Sequence, residues 1–266
     1  MHPSRNILSL VALLAVTACA STSHEPEVVP EYAIRWAAHA AEYQALSQQV
    51  YSQATRDLPG FIADTSWTAL PHVQDFENKP PAIILDVDET VASGVDMELT
   101  GVPFNTVRQY EWGLTHQTIP IRGVSAFVNT AQALGVEVFF VTNRPCEPRK
   151  DTTDRCIQEQ GVVDLVAEIG IQTDREHVLM NLERPEWNKE KVSRRLHIAE
   201  TYRVIMLFGD DYGDFVACSR AKPGLPCTVG ATRASRHEAL DIYQDYWGRG
   251  WYILPNPMYG SWTSVE

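Results

Sequence analysis

Four short, largely apolar runs separated by helix-like segments constrain this chain more than any other feature. They are Ala82–Leu85, Val136–Val141, Val178–Leu182 and Val204–Phe208. Continuous rather than alternating hydrophobicity over a strand's length marks strands buried on both faces, as in a parallel sheet. Helical patterning fills roughly 123–134, 152–161, 187–200 and 236–246. Strands alternating with helices predict a parallel α/β sheet with crossover helices. A further helix is expected from Tyr32 to about Leu58, where Trp36, Ala40, Tyr43 and Leu46 recur three or four residues apart. Between about Ala92 and Arg122 the periodicity is weak, and this stretch is expected to form a cap or substrate loop. Ligands of open α/β sheets bind beyond the carboxyl ends of the strands, so residues that follow the apolar runs are the first candidates for chemistry.

The 266 residues are 44% hydrophobic, enough for a sizeable core, and their length suits one α/β domain with an accessory part or two small domains. A net charge of −12 argues against a nucleic acid polymer as partner. At the N-terminus, Arg5 and the apolar run Ile7–Val16 read as an export signal too short to span a membrane. Val16-Thr17-Ala18-Cys19 resembles a bacterial lipobox. The expectation is a signal peptide at 1–18, a lipidated Cys19 that attaches the protein to a membrane, and a tether at 19–31. Ala20 after the cysteine favours the outer membrane, by resemblance to Gram-negative lipoproteins. The competing reading is an ordinary signal peptide cleaved after Ala18-Cys19-Ala20. Four cysteines remain, and an even number in an exported chain suggests disulfides. The sequence-local pairing, Cys146–Cys156 and Cys218–Cys227, is preferred among the three connectivities. Zinc ligation competes poorly, because no C-x-x-C spacing is present.

Four clusters carry potential chemistry. Asp86-Val87-Asp88-Glu89-Thr90 follows the first run and Thr142-Asn143-Arg144 the second. Lys191 lies on the helix beginning near Glu186-Trp187, and Gly209-Asp210-Asp211-Tyr212-Gly213-Asp214 follows the last run. Singly each is ordinary: a helix cap, a turn, a solvated lysine. Together they supply a nucleophile, carboxylates for a hard cation, hydroxyl or amide donors and a fixed positive charge, which is the set a phosphoryl group requires.

In order and type these clusters resemble the four motifs of the haloacid dehalogenase-like (HAD) phosphohydrolases. Within that superfamily they are similar to the class C, or DDDD, acid phosphatases, which include outer-membrane lipoprotein 5′-nucleotidases. Lys191-Val192-Ser193-Arg194-Arg195 and Leu254-Pro255-Asn256-Pro257-Met258-Tyr259-Gly260-Ser261-Trp262 resemble two further segments of that group. The likeness runs from Trp36 to Trp262. The chain departs from it at Val91-Ala92-Ser93-Gly94, where many members carry Val/Leu-Leu-Asp-Asn. Lys189 also stands close to Lys191; the spacing to the Ser-Arg-Arg segment favours Lys191.

The resemblance implies an α/β fold with a Rossmann-like parallel sheet flanked by helices, and a small, mainly helical cap drawn from about 32–75 and 92–122 of a 32–266 phosphatase domain. It implies hydrolysis of small-molecule phosphomonoesters, with 5′-nucleotides as candidates, through an aspartyl-phosphate on Asp86, with Asp88 as acid and base. Mg²⁺ is the implied cofactor, held by Asp86, Asp210 and the backbone carbonyl of Asp88, with Asp214 behind it acting through water. Thr142, Asn143 and Lys191 are implied to bind phosphate. Tyr259, with Trp112 or Trp262, is a candidate to sandwich a base; the same aromatics also read as closing the core. Two other classes compete: a receiver-type phosphoacceptor module, and a non-catalytic surface lipoprotein on a HAD-like fold. The export signal and Asp88 weigh against the first, and the complete motif set against the second.

Overall fold

A computed structural model describes residues 31–150 and 152–265. The signal peptide, Cys19 and the tether up to residue 30 lie outside the described residues. Along the chain the elements are α1 (Glu31–His39), α2 (Ala41–Ala63), β1 (Pro81–Leu85), β2 (Ala92–Ser93), α3 (Val95–Glu98), α4 (Thr106–Thr115) and β3 (Ile119–Pro120). They continue with α5 (Val124–Ala133), β4 (Glu137–Pro145), α6 (Ile157–Glu168), β5 (Val178–Asn181), α7 (Val192–Thr201), β6 (Arg203–Gly209), α8 (Arg233–Ile242) and β7 (Trp251–Ile253).

Five strands form one sheet in the order β5-β4-β1-β6-β7, and every pairing in it is parallel. β1, the central strand, is buried on both faces, which is why its sequence is continuously apolar. Its residues alternate between two cores. Ile83 and Leu85 face one layer with Val138, Phe140 and Phe208, covered by α2, α5 and α6. Ala82 and Ile84 face the other with Val141, Leu179 and Leu207, covered by α7 and the aromatic residues near α8. The expected α/β sheet with helices on both faces is the observed architecture.

Several expectations are corrected. The helix expected over 152–161 runs instead from Ile157 to Glu168, with Val162 and Val166 fully buried one turn apart. Residues 152–156 are held outside it, since Asp154 accepts the Cys156 N–H at 2.9 Å and pairs with Arg175. β7 had no strand expectation; it has three residues and follows Gly250 at φ +90°. Within residues 32–75, expected to supply cap elements, the long helix packs on the sheet. α2 is a core helix: Tyr51 and Leu58 are fully buried, and the Tyr51 ring stacks on Phe208 of β6 at 5.6 Å. Its C-terminal carbonyls are satisfied by Arg203 of β6, which reaches Phe61 at 3.0 Å and Ile62 at 2.9 Å. The sequence-local disulfides both form, with Cα–Cα distances of 4.9 Å for Cys146–Cys156 and 5.3 Å for Cys218–Cys227.

The 92–122 segment leaves the core as a β-hairpin: β2 pairs antiparallel with β3 and encloses α3 and α4. α4 has no buried residue, and Val102, Phe104 and Leu114 of this segment are more than half exposed.

Candidate active site

β1 ends at Leu85, but its ladder runs one residue further: the Asp86 N–H donates to the Phe208 carbonyl at 3.0 Å. The Asp86 carboxylate therefore starts from the middle of the sheet. The chain then winds a single tight turn, in which the N–H groups of Val91 and Ala92 both reach the Val87 carbonyl, at 2.8 and 3.0 Å. That turn puts Glu89 at φ +57°, a left-handed conformation uncommon for a residue with a side chain. The fully buried Glu89 carboxyl steadies it by accepting the Gly94 N–H at 2.6 Å. Burial, followed by the neighbouring Asp88, pushes the Glu89 pKa well above the carboxylate range.

Lys191 settles which lysine belongs to the acids. It is 3% exposed, its Nζ donates to Asp86 Oδ1, and it lies 2.6 Å from Asp214 Oδ1. Burial opposes its charge, but Asp214 and Asp86 outweigh burial and hold the ammonium above its ordinary range. Lys189 lines the cavity without such a pairing among the described contacts, and its carbonyl accepts from the Asn143 amide at 3.3 Å.

After β6 the chain turns at Gly209. A Cβ there would meet Asp214 Oδ2 at 2.2 Å, so only glycine allows Asp214 to fold back over the strand end. Asp214 Oδ2 then accepts the Asp211 N–H at 2.9 Å. Asp210 accepts from Thr90 Oγ1 at 3.2 Å and from Asn256 Nδ2 at 2.8 Å. Asp211 accepts the Gly213 N–H at 2.8 Å and both the N–H and the hydroxyl of Ser261. The loop is thus pinned by the segment that follows β7.

Thr142 is fully buried and its hydroxyl oxygen accepts the Arg144 N–H at 3.1 Å, while Asn143 and Arg144 reach the cavity wall. Two buried arginines fasten these loops from behind. Arg194 donates to the Thr142 carbonyl, to Asn143 Oδ1 at 2.8 Å and to the Asn188 carbonyl at 2.8 Å. Arg195 donates to the carbonyl of Asp214 at 2.7 Å. Burial lowers both guanidinium pKa values to about 10.

The result is a cavity of about 720 Å³ with Asp86, Asp88, Lys191, Asp210 and Asp214 in its lining. Its lining also includes the apolar and aromatic side chains of Ile34, Met97, Val102, Phe104 and Tyr259. Trp112 and Trp262 are not among the lining residues. The Trp112 ring stacks on His116 instead, 3.5 Å between centroids, and Trp262 Nε1 donates to the Tyr259 carbonyl at 3.2 Å. Phe104, which sequence reasoning passed over, is the aromatic that shares the cavity with Tyr259.

The acid group fits a divalent cation. One oxygen each of Asp86, Asp210 and Asp214 lies within 4.8 Å of the others, and the donors are all carboxylates, as hard cations require. The cluster is electrostatically unfavourable alone. Burial, with Asp214 and Asp88 adding against Lys191, raises the Asp86 pKa to about 6. Burial, then Asp86, Asp214 and Glu89, raise that of Asp210 well above its ordinary range. A cation among these oxygens would relieve that repulsion.

A family model described as HAD superfamily, subfamily IIIB (acid phosphatase) matches residues 6–262. The chain belongs to this acid phosphatase family. Two solved structures share the fold: the class C acid phosphatase from Bacillus anthracis, and the same enzyme with tungstate bound. Each is 24% identical, with a TM-score of 0.67 over 87% of this chain and 85% of that one. The phosphatase is a phosphomonoesterase of the HAD type, a family that uses a divalent metal. What sequence reasoning missed in it are the residues that act through others. Arg194 and Arg195 entered only as part of a resembling segment, and their signal, two adjacent arginines after the motif lysine, does not reveal that both are buried. Asn256 and Ser261 likewise entered only as part of the resembling C-terminal segment, and Gln109 and Phe104 carried no signal beyond composition.

Proposed function

We propose that this acid phosphatase hydrolyses phosphomonoesters with Asp86 as nucleophile and Mg²⁺ as cofactor. One observation carries the reading: Asp86, Lys191, Asp210 and Asp214 converge on the floor of a single cavity at the carboxyl edge of the sheet. Asp86, Asp210 and the Asp88 carbonyl would hold the cation, with Asp214 behind them. When bound, the cation supplies charge neutralisation, so that an anionic carboxylate can approach an anionic phosphate.

In the first step an Asp86 oxygen forms a bond to phosphorus and the P–O bond to the leaving group breaks. Asp88 passes a proton to that leaving oxygen. In the second step Asp88 takes a proton from water, the water oxygen attacks phosphorus, and the Asp86 carboxylate is released. Lys191 pairs with Asp86 and with the phosphate oxygens, and the loop of Thr142 and Asn143 offers donors held in place by Arg194. Such fixed donors act without reorganising during the reaction, and losing one costs about 3–4 kcal/mol.

The apolar and aromatic lining supports esters with a flat organic half, including 5′-nucleotides. Tyr259 and Phe104 belong to it, and stacking accepts any base. Residues 92–122 form the cap over it. Export, with lipidation at Cys19 and attachment to the outer membrane, rests on residues 1–19, and the two disulfides suit an oxidising compartment. Among the described residues no helix is long and apolar enough to cross a membrane.

A phosphomonoester panel with Mg²⁺ added and then chelated tests the reading. Hydrolysis that vanishes with chelator and returns with Mg²⁺ is expected. Undiminished turnover in chelator would remove the cation from the mechanism. Rapid quench of the enzyme with a labelled ester should trap label on Asp86.

A further inference from the structure

Asp88 is held from two sides, by the core and by the cap. Arg144, at the end of β4, sets its Nε 3.2 and 3.1 Å from the two carboxylate oxygens and its Nη2 2.8 Å from Oδ1. Gln109 of α4 donates its Nε2 to the same Oδ1 at 3.0 Å. Both residues line the main cavity, and both also line a smaller one of about 170 Å³ beside α6. With Thr106, Pro145 and Glu147, which also line both, they stand between the two spaces, and Asp88 is a point where the 92–122 segment reaches the acid cluster.

The donors are unevenly shared. Oδ1 takes Arg144 Nη2 and Gln109, and is also within reach of Arg144 Nε, whereas Oδ2 takes Arg144 Nε alone. An arginine fork fixes the plane of a carboxylate, and the Gln109 amide fixes which oxygen is saturated. That leaves Oδ2 as the oxygen with a lone pair available for proton exchange. A flexible aspartate on a cavity wall has no such preference.

We propose that Arg144 and Gln109 are positioning residues for proton transfer by Asp88: they present its Oδ2 to the leaving oxygen, and Gln109 makes that presentation depend on the seating of α4. The inference rests on the acid/base role given to Asp88 above. The proton on Oδ2 goes to the leaving oxygen as the P–O bond breaks, and water returns it in the second step, so no other reactant is needed. The competing account is a staple that merely fastens α4 to the core.

Leaving-group dependence separates the two accounts, because an ester that departs readily as an anion needs no acid. The kcat/KM values of wild type, Asp88→Asn, Gln109→Met and Arg144→Met are measured with p-nitrophenyl, phenyl and butyl phosphate, alongside Tm. Gln109→Met keeps volume and removes the donor, so the idea stays testable if Arg144→Met fails to fold. For Gln109→Met we expect losses of about tenfold or more with butyl phosphate and about twofold or less with p-nitrophenyl phosphate, a part of the range for acid catalysis. Arg144→Lys, which lacks the fork, should not rescue the Arg144→Met pattern. A uniform loss across the esters in Gln109→Met, against a graded loss in Asp88→Asn, would overturn the positioning role alone. A uniform loss in Asp88→Asn would overturn the acid assignment itself and the inference with it.

Discussion

The floor of the cavity and its cap are built on opposite principles. On the floor, nearly every polar group is tied to a named partner: Lys191 to Asp86 and Asp214, Asp210 to Thr90 and Asn256, Asp211 to Ser261, and the loop carbonyls to Arg194 and Arg195. In the 92–122 segment, α4 buries nothing completely and Val102, Phe104 and Leu114 face solvent. Charge placed in advance stabilises a transition state only if it does not relax. A wall that recognises the rest of the ester has the opposite need, since it must admit the substrate and release the product. On the function proposed above, the contrast gives chemistry to the sheet edge and choice of ester to the 92–122 segment.

The sharpest way to break this division is Asp86→Asn, which should reduce p-nitrophenyl phosphate turnover by at least about a thousandfold while circular dichroism stays unchanged. Robust activity in that variant would move the nucleophile elsewhere. Next, Lys191→Ala should lower kcat/KM by about 3–4 kcal/mol, as loss of a fixed donor does, and Lys189→Ala by less than about 1 kcal/mol. The reverse ranking would give the floor to the wrong lysine. On the cap side, Phe104→Ala and Tyr259→Ala should raise KM for a nucleoside monophosphate by about 1–3 kcal/mol, the value of one stacked base, and spare a small alkyl phosphate. Trp112→Ala should leave both substrates unchanged. Equal losses on the two esters would show that these aromatics serve packing.

The smallest effect concerns pH. The Asp86 pKa rises from 3.8 to about 6 on folding without a cation. The folded chain then holds a proton that the unfolded chain has released across that interval, so stability is greatest at the acid end and falls as pH rises toward about 6. A cation favours the ionised form, so the Tm gained on adding Mg²⁺ should be larger at pH 7 than at pH 5. A gain independent of pH would detach Asp86 from the cation.

The same contrast explains what the sequence revealed. β1 and β6 were legible because a strand buried on both faces must be apolar throughout, and the acids after them could be placed at the sheet edge from topology alone. The lysine was legible only by spacing. The holding residues were not. An arginine that donates mainly to carbonyls, as Arg194 does, looks like any surface arginine in one dimension, because most of its partners are backbone atoms brought near by folding. The cap was illegible for a further reason: a segment that buries little has no core face, hence no period. Trp112 was a candidate only as an aromatic that could pair with Tyr259 around a base, but its ring stacks on His116 at the end of α4, and Phe104 in the preceding loop lines the cavity instead.

The hold of Asn256 and Ser261 on Asp210 and Asp211 bears on synthesis as well as catalysis. A ribosome delivers the five strands and all four acidic, hydroxyl and basic clusters before either of these two residues emerges. A chain ending at Leu254 carries all four clusters but lacks the contacts that fix Asp210 and Asp211. A C-terminal fusion or trimming that disturbs this short segment would therefore loosen two acids of the cavity without touching them directly.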